Sequence, residues 1–239
     1  MTTGYGQYCP LAMASEILCN RWTLLVLREL LDGSTGFNEI GRGLTLMSRS
    51  LLARRLRELE AAGLVLHTPG PRGGPGVYLL TEAGSALAPV VRAMAAWGQE
   101  WIDEKASLED VDVRFLMWDM RRNVRPIASL PPRFTARFAF SDAPAGLREH
   151  WLVFDSGEVD LCYTDPGHEV DVHLETDLQT MTRVWMGWLD LDEAVREDRL
   201  AVTGHRAHVA TMRHWLGLSG LAHVAKRPPE HQVLRAGRP

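Results

Sequence analysis

Six arginines fall between positions 42 and 72 (42, 49, 54, 55, 57 and 72), opposed by Glu58 and Glu60 alone, a local excess of four positive charges. Such a cluster can hold phosphates. A guanidinium can also bond guanine edges, and serine hydroxyls can bond either bases or phosphates. Ser48 and Ser50 beside Arg49 and Arg54 therefore add base-edge chemistry. Cys9-Pro10 places a thiol just before a helical pattern, where a thiolate would be favoured. Other chemistry finds little support. Glu158/Asp160 and Asp190/Asp192 pair carboxylates at positions typical of solubilising charge. His205, His208 and His214 share a helical segment without a local carboxylate. No Ser-His-Asp order, phosphate loop or zinc spacing occurs. The three cysteines, Cys9, Cys19 and Cys162, form no CxxC pair. Neither catalysis, nor a metal or other cofactor, nor a disulfide framework is expected.

These residues need elements to position them. Residues 11–31 are helical in pattern, broken at Asn20 and stopped by Asp32-Gly33-Ser34. Phe37–Arg42 reads as a short helix. Ser48 can cap the best-defined helix, which carries Leu52, Leu56 and Leu59 as its inward stripe and ends at Gly63. Arg49, Ser50, Ala53, Arg54 and Arg57 lie mostly on its other faces. Leu64–Leu66 and Val77–Leu80 are strands joined by a hairpin over His67–Gly76, with Arg72 near its tip. A helix capped by Thr81 is expected from Glu82 to about Asp103. Another is expected from a box at Ser107–Asp110 to about Arg122.

Beyond Pro126–Pro132 the pattern changes to strands. Arg133–Ser141 alternates, Trp151–Asp155 and Val159–Tyr163 flank a turn, and Val170, Val172 and Leu174 alternate with polar residues. Asp177 can cap a helix to Leu189. A short helix at Leu191–Glu197, a strand at Leu200–Thr203 and a helix over Arg206–Leu218 follow. Five of the eight tryptophans lie beyond residue 106. Phe138, Phe140, Trp151, Met181, Trp185, Met186, Trp188 and Trp215 are candidates to line an apolar pocket, or simply to fill a core.

The chain has 239 residues and a net charge of −4. That total argues against nucleic acid, but its distribution does not. Residues 1–106 carry ten basic and ten acidic side chains. Residues 149–198 carry fourteen acids against Arg183 and Arg196. The first half can meet phosphates while the second stays off them. The longest charge-free stretch, Met1–Ser15, is too short and polar to span a bilayer and has no basic start. A cytoplasmic protein without membrane association is expected.

Helix, helix, helix, strand, glycine-rich hairpin is the order of a winged helix-turn-helix. Several motifs run in that order: Cys9-Pro10, Arg21–Leu30, Phe37-Asn38-Glu39-Ile40, Leu51–Val65 and Tyr78–Gly84. Together they resemble the HxlR-type winged-helix transcriptional regulators, relatives of the MarR group, over roughly residues 8–104. The resemblance implies a homodimer held by the first helix and the long helix after the wing. It also implies a double-stranded DNA operator read by Ser48–Arg57. In some such regulators the Cys-Pro cysteine senses oxidants or electrophiles, a role open to Cys9. Further on, Trp151–Val159, Val184–Gly187, Leu200–Gly204 and a helix ending Trp215-Leu216 resemble the sterol-carrier-protein-like domain. That likeness implies a curved sheet covered by helices around a site for a small hydrophobic molecule.

The expected architecture is α+β. A DNA-binding and dimerisation domain occupies 1–105, a linking helix 106–125, a ligand-binding domain 126–223 and a tail 224–239. The expected function is a ligand-modulated DNA-binding regulator. The DNA-contact candidates are Ser48, Arg49, Ser50, Ala53, Arg54, Arg57 and Arg72. The alternatives are a Cys9 thiol-based regulator and a carrier of lipid or other hydrophobic ligand.

Overall fold

A computed structural model of the chain describes residues 4–71 and 74–233. Arg72 lies outside them. The chain divides between Ala95 and Ala96 into two units, each with its own core.

The first unit opens with α1 (Pro10–Leu18) and α2 (Thr23–Leu31). The break between them falls where Asn20 interrupts the apolar pattern. Asn20 Nδ2 turns back to bond the carbonyl of Glu16 at 3.0 Å, and Trp22 takes a left-handed backbone at φ 78°. Next come α3 (Phe37–Arg42) and α4 (Arg49–Ala61). Ser48 Oγ accepts the Leu51 amide at 3.3 Å, so the expected cap forms. Gly63 ends the helix at φ 73°, where a side chain would be strained. The hairpin strands β1 (Val65–Thr68) and β2 (Val77–Leu80) pair antiparallel, Leu66 opposite Leu79. Leu52, Leu56 and Leu59 bury the inner face of α4 against Val26, Leu27, Leu30 and Ile40, each at most 7% exposed.

The expected single helix from Glu82 to Asp103 is two helices, α5 (Glu82–Ser85) and α6 (Ala88–Trp101). Pro89 explains the break. It has no N–H to bond the carbonyl of Ser85, and its ring favours the first turn of a new helix. The expected box at Ser107 is also displaced. Asp103 caps α7 (Glu104–Leu108) through the Ala106 amide at 2.8 Å. Asp112 caps α8 (Val113–Asn123) through the Arg114 amide, also at 2.8 Å. Two aspartates, each ahead of its own apolar run, outcompete one serine.

The second unit is built on β3 (Arg133–Phe140), β4 (Glu149–Asp155), β5 (Glu158–Cys162), β6 (Val172–Thr176) and β7 (Ala201–Gly204). Their order is β5-β4-β3-β6-β7. Only the β3–β6 pair is parallel. Phe134, Ala136, Phe138 and Phe140 alternate along β3 and join Leu152, Phe154, Val172 and Leu174 on one face. That face packs against side chains of α8, of α9 (Leu178–Trp185), of α10 (Leu191–Arg196) and of α12 (Met212–Leu216). Asp177 caps α9 as expected, but the helix stops at Trp185 rather than Leu189. Gly187, at φ 74°, passes so close to the backbone of Ala222 that a side chain has no room. The expected helix over Arg206–Leu218 divides at Thr211 into α11 (Arg206–Ala210) and α12. Among the described residues, no helix is long and apolar enough to cross a membrane.

Candidate nucleic-acid interface

α4 presents its polar face opposite the leucine stripe. Ser48, Arg49, Ser50, Arg54 and Arg57 are exposed and Ala53 is half-buried. Ser50, Ala53, Arg54 and Arg57 recur at three- and four-residue steps, so one surface carries them. A neighbouring group orients each arginine. Arg49 Nη1 donates to Asn38 Oδ1 at 3.0 Å, and its guanidinium lies 5.1 Å from the Phe37 ring centroid. Arg54 Nε donates to Glu58 Oε1 at 2.8 Å while its side chain keeps 68% of its exposure. Arg57 Nε reaches the Ala53 carbonyl at 3.3 Å. The Ser48 and Ser50 hydroxyl oxygens lie 3.2 Å apart.

Arg55 turns the other way. Its side chain is 13% exposed, its Nε bonds the Arg21 carbonyl at 3.0 Å, and it pairs with Glu58. The bond from Arg54 is the main reason the Glu58 carboxyl is held below its ordinary range, with Arg55 adding to the effect. Two orienting residues were not singled out from sequence: Phe37 and Asn38. Glu58 had a signal, its three- and four-residue offset from Arg55 and Arg54. Asn38 had none beyond its place in the short helix before the turn. In the hairpin, the His67 and Tyr78 rings stack at 4.4 Å.

Cys9 is exposed at the N-cap of α1, where its carbonyl accepts the Met13 amide at 3.1 Å. Cys19 is exposed at the end of the same helix. Cys162 is half-buried, and burial pushes its thiol up. His208 Nδ1 lies 3.5 Å from Asp171 Oδ1, a carboxylate brought from the sheet rather than from the local sequence. Among the described residues, no group of three or more His, Cys, Asp or Glu is placed to hold a metal.

The pocket candidates of the second unit do not line one common space. Phe138, Met181, Trp185 and Trp215 are at most 1% exposed and belong to the packed core. Met186 packs partly buried against that core. Half-buried Trp188 lies under Lys226, whose Nζ is 4.3 Å from its ring centroid. Phe140, 1% exposed, belongs to the same core, and together with Trp151 it borders an open cleft of about 960 Å³.

The HxlR-like helix-turn-helix family profile matches residues 17–106. An uncharacterized HTH-type transcriptional regulator of Bacillus subtilis, YvaP, is 39% identical over 100 residues, 41% of this chain and 93% of that protein. The HTH-type transcriptional regulator YodB, also from Bacillus subtilis, is 36% identical over 97 residues, 40% of this chain and 87% of that protein. The solved reduced form of YodB superposes with a TM-score of 0.34 at 35% identity, covering 39% of this chain and 93% of the other. The first unit is a winged helix-turn-helix, and with the sequence matches spanning 93% of YvaP and 87% of YodB, the chain belongs to the HxlR-like helix-turn-helix family of transcriptional regulators.

Proposed function

We propose that this protein is a homodimeric, sequence-specific DNA-binding regulator whose operator affinity responds to a small molecule held by the second unit. The observation that carries the reading is the outer face of α4. Its inner face is spent on Leu52, Leu56 and Leu59, and its outer face offers Arg49, Arg54 and Arg57 with two serines to solvent. Such a helix fits the major groove. Ser48, Arg49, Ser50, Ala53, Arg54 and Arg57 then meet bases and phosphates, and Arg72, outside the described residues, is a further candidate contact to the flanking backbone. α1 and α6 supply the dimer surface. Leu11 is 75% exposed, Met13 56%, Met94 53% and Trp97 51%. Large apolar side chains on two helices are what a self-complementary interface buries. A helix-covered sheet, the layout of sterol-carrier-like domains, supports a ligand-sensing role for the second unit. A ligand changes operator affinity to the extent that it favours one dimer geometry.

The test is anisotropy titration of a duplex recovered by selection from a random library, at several salt concentrations. Wild type should lose affinity steeply with salt. Arg54→Ala should weaken the selected duplex by about 1–3 kcal/mol and discriminate less between sequences. Salt-independent binding, or an unaltered Arg54→Ala protein, rejects the reading. A second reading has one observation in its favour: Cys9 is exposed at a helix N-cap. If Cys9 is the sensor, oxidant releases the wild-type protein from the duplex and leaves a Cys9→Ser protein bound.

A further inference from the structure

The open cleft of the second unit has a floor whose composition argues for a particular ligand. Ala139, in the central strand β3, is the cross-strand partner of both Glu149 on β4 and Glu175 on β6. Glu175 is in turn paired with Ala201 on β7. Cross-strand partners share a face of the sheet. A row Glu149–Ala139–Glu175–Ala201 therefore runs over four strands, two carboxylates alternating with two of the smallest side chains. The alanines leave a depression and the carboxylates border it. All four line the cleft.

The neighbouring row supplies an aromatic wall and a partial counter-charge. Arg137 is paired with Trp151. The Arg137 guanidinium bonds Glu149 and reaches Glu175 Oε1 at 3.2 Å. One guanidinium thus serves two carboxylates, and Glu175 keeps 61% of its side-chain exposure. Trp151 and Tyr163 border the same space. Among the described residues, the five carboxylates of the lining are met by three guanidiniums, those of Arg148 and Arg199 in the lining and that of Arg137 beside it. A cleft with such an excess concentrates positive charge. Trp151 is 6% exposed and Tyr163 38%, so Tyr163 offers the more open aromatic ring to a cation that has shed its water. The volume, about 960 Å³, is at the upper end of the range for drug-sized ligands. A purely apolar ligand has less to gain. The side chains best suited to it, Phe138, Met181, Trp185 and Trp215, are already packed against one another.

We propose that this cleft is the ligand site of the second unit and that it takes a hydrophobic organic cation, an amine or onium centre on an aromatic body. The cationic centre sits over Ala139 between Glu149 and Glu175, and the body lies along Trp151 and Tyr163. The proposal rests on the reading that the second unit senses a small molecule, and it names the chemistry of that molecule.

Tetraphenylphosphonium and tetraphenylborate test it, being nearly identical in size and shape and opposite in charge. Calorimetric titration of the full chain at low ionic strength should show the phosphonium binding at least about tenfold tighter than the borate. Glu175→Gln and Glu149→Gln should each weaken the phosphonium several-fold. Ala201→Phe, which fills the depression without removing a charge, should weaken it too. Equal binding of the two ions, or full affinity in all three variants, overturns the proposal. Operator affinity measured in parallel separates this result from the regulatory reading. Phosphonium binding that depends on Glu175 but leaves operator affinity unchanged establishes the cleft and rejects ligand control of DNA binding. Operator release by a neutral apolar compound, with no phosphonium bound, rejects the cleft and keeps that control.

Discussion

At the scale of single residues, the outer face of α4 is a set of held guanidiniums rather than free ones. Glu58 pairs Arg54 and Arg55 at once, and Asn38 holds Arg49. Orientation limits the ways an arginine can meet DNA, which favours one geometry, but the carboxylate also subtracts charge from the surface. Glu58→Gln is therefore expected to raise affinity for random duplex several-fold at low salt while narrowing the margin for the selected duplex. Anisotropy with both duplexes measures it, and an unchanged margin removes Glu58 from recognition. In the second unit, His150 is fully buried against Phe140 and Tyr163, and neither ring nitrogen has a hydrogen-bond partner among the described residues. Burial lowers its pKa from 6.5 to about 4. The unfolded chain then takes up the proton first as pH falls. The contribution of His150 is intact above pH 6.5 and shrinks toward pH 4, by about 3 kcal/mol at the lower end. Urea unfolding at pH 7 and pH 4.5 should show this loss in the wild type and a smaller one in His150→Leu. Equal losses would mean that other groups set the acid limb.

At the scale of elements, the cap and inner stripe of α4 place its outer face. Ser48→Ala removes the acceptor for the Leu51 amide and should cost about 1 kcal/mol. Leu56→Ala empties a fully buried position and should cost about 2–5 kcal/mol. Thermal melts rank the two, and a Ser48→Ala loss matching that of Leu56→Ala would contradict the assignment of a cap against a core. α4 was legible in the sequence because two independent signals agreed, a capping serine and a four-three leucine spacing. The strands of the second unit were legible through alternation, most clearly in Phe134–Phe140. The helices after the wing were less so. Apolar periodicity runs unbroken through Leu87, Val90 and Val91, yet the missing amide of Pro89 divides it. Tertiary juxtaposition was not legible at all. Nothing in the spacing of 139, 149, 175 and 201 tells that one strand register aligns them, or that Arg137 reaches two glutamates from different strands.

At the scale of the whole molecule, charge and apolar surface are distributed by task. The acidic stretch from 149 to 198 belongs to the unit that carries the cleft, and the arginines of α4 to the unit that carries the winged helix. The net charge of −4 is therefore a poor guide to the surface that meets DNA. What remains to be covered is apolar. α1 buries none of its own residues, although it is the most hydrophobic of the early helices in composition. Along α6, Val90, Met94 and Trp97 are 43%, 53% and 51% exposed and follow a four-three spacing. A helix with an apolar stripe turned to solvent gains little from its own chain, whereas a second copy would bury the stripe. A winged helix that meets one half-site per protomer gains its affinity from two half-sites read together. Met94→Glu puts a charge in the middle of that stripe and touches no core position of either unit. It should halve the mass seen in sedimentation equilibrium and leave the melting temperature of the remaining monomer nearly unchanged. It should also weaken binding to a two-half-site duplex far more than to a single half-site. A Met94→Glu protein that keeps the dimer mass places the interface elsewhere. One that becomes monomeric yet still binds the two-half-site duplex at full strength shows that each winged helix works alone.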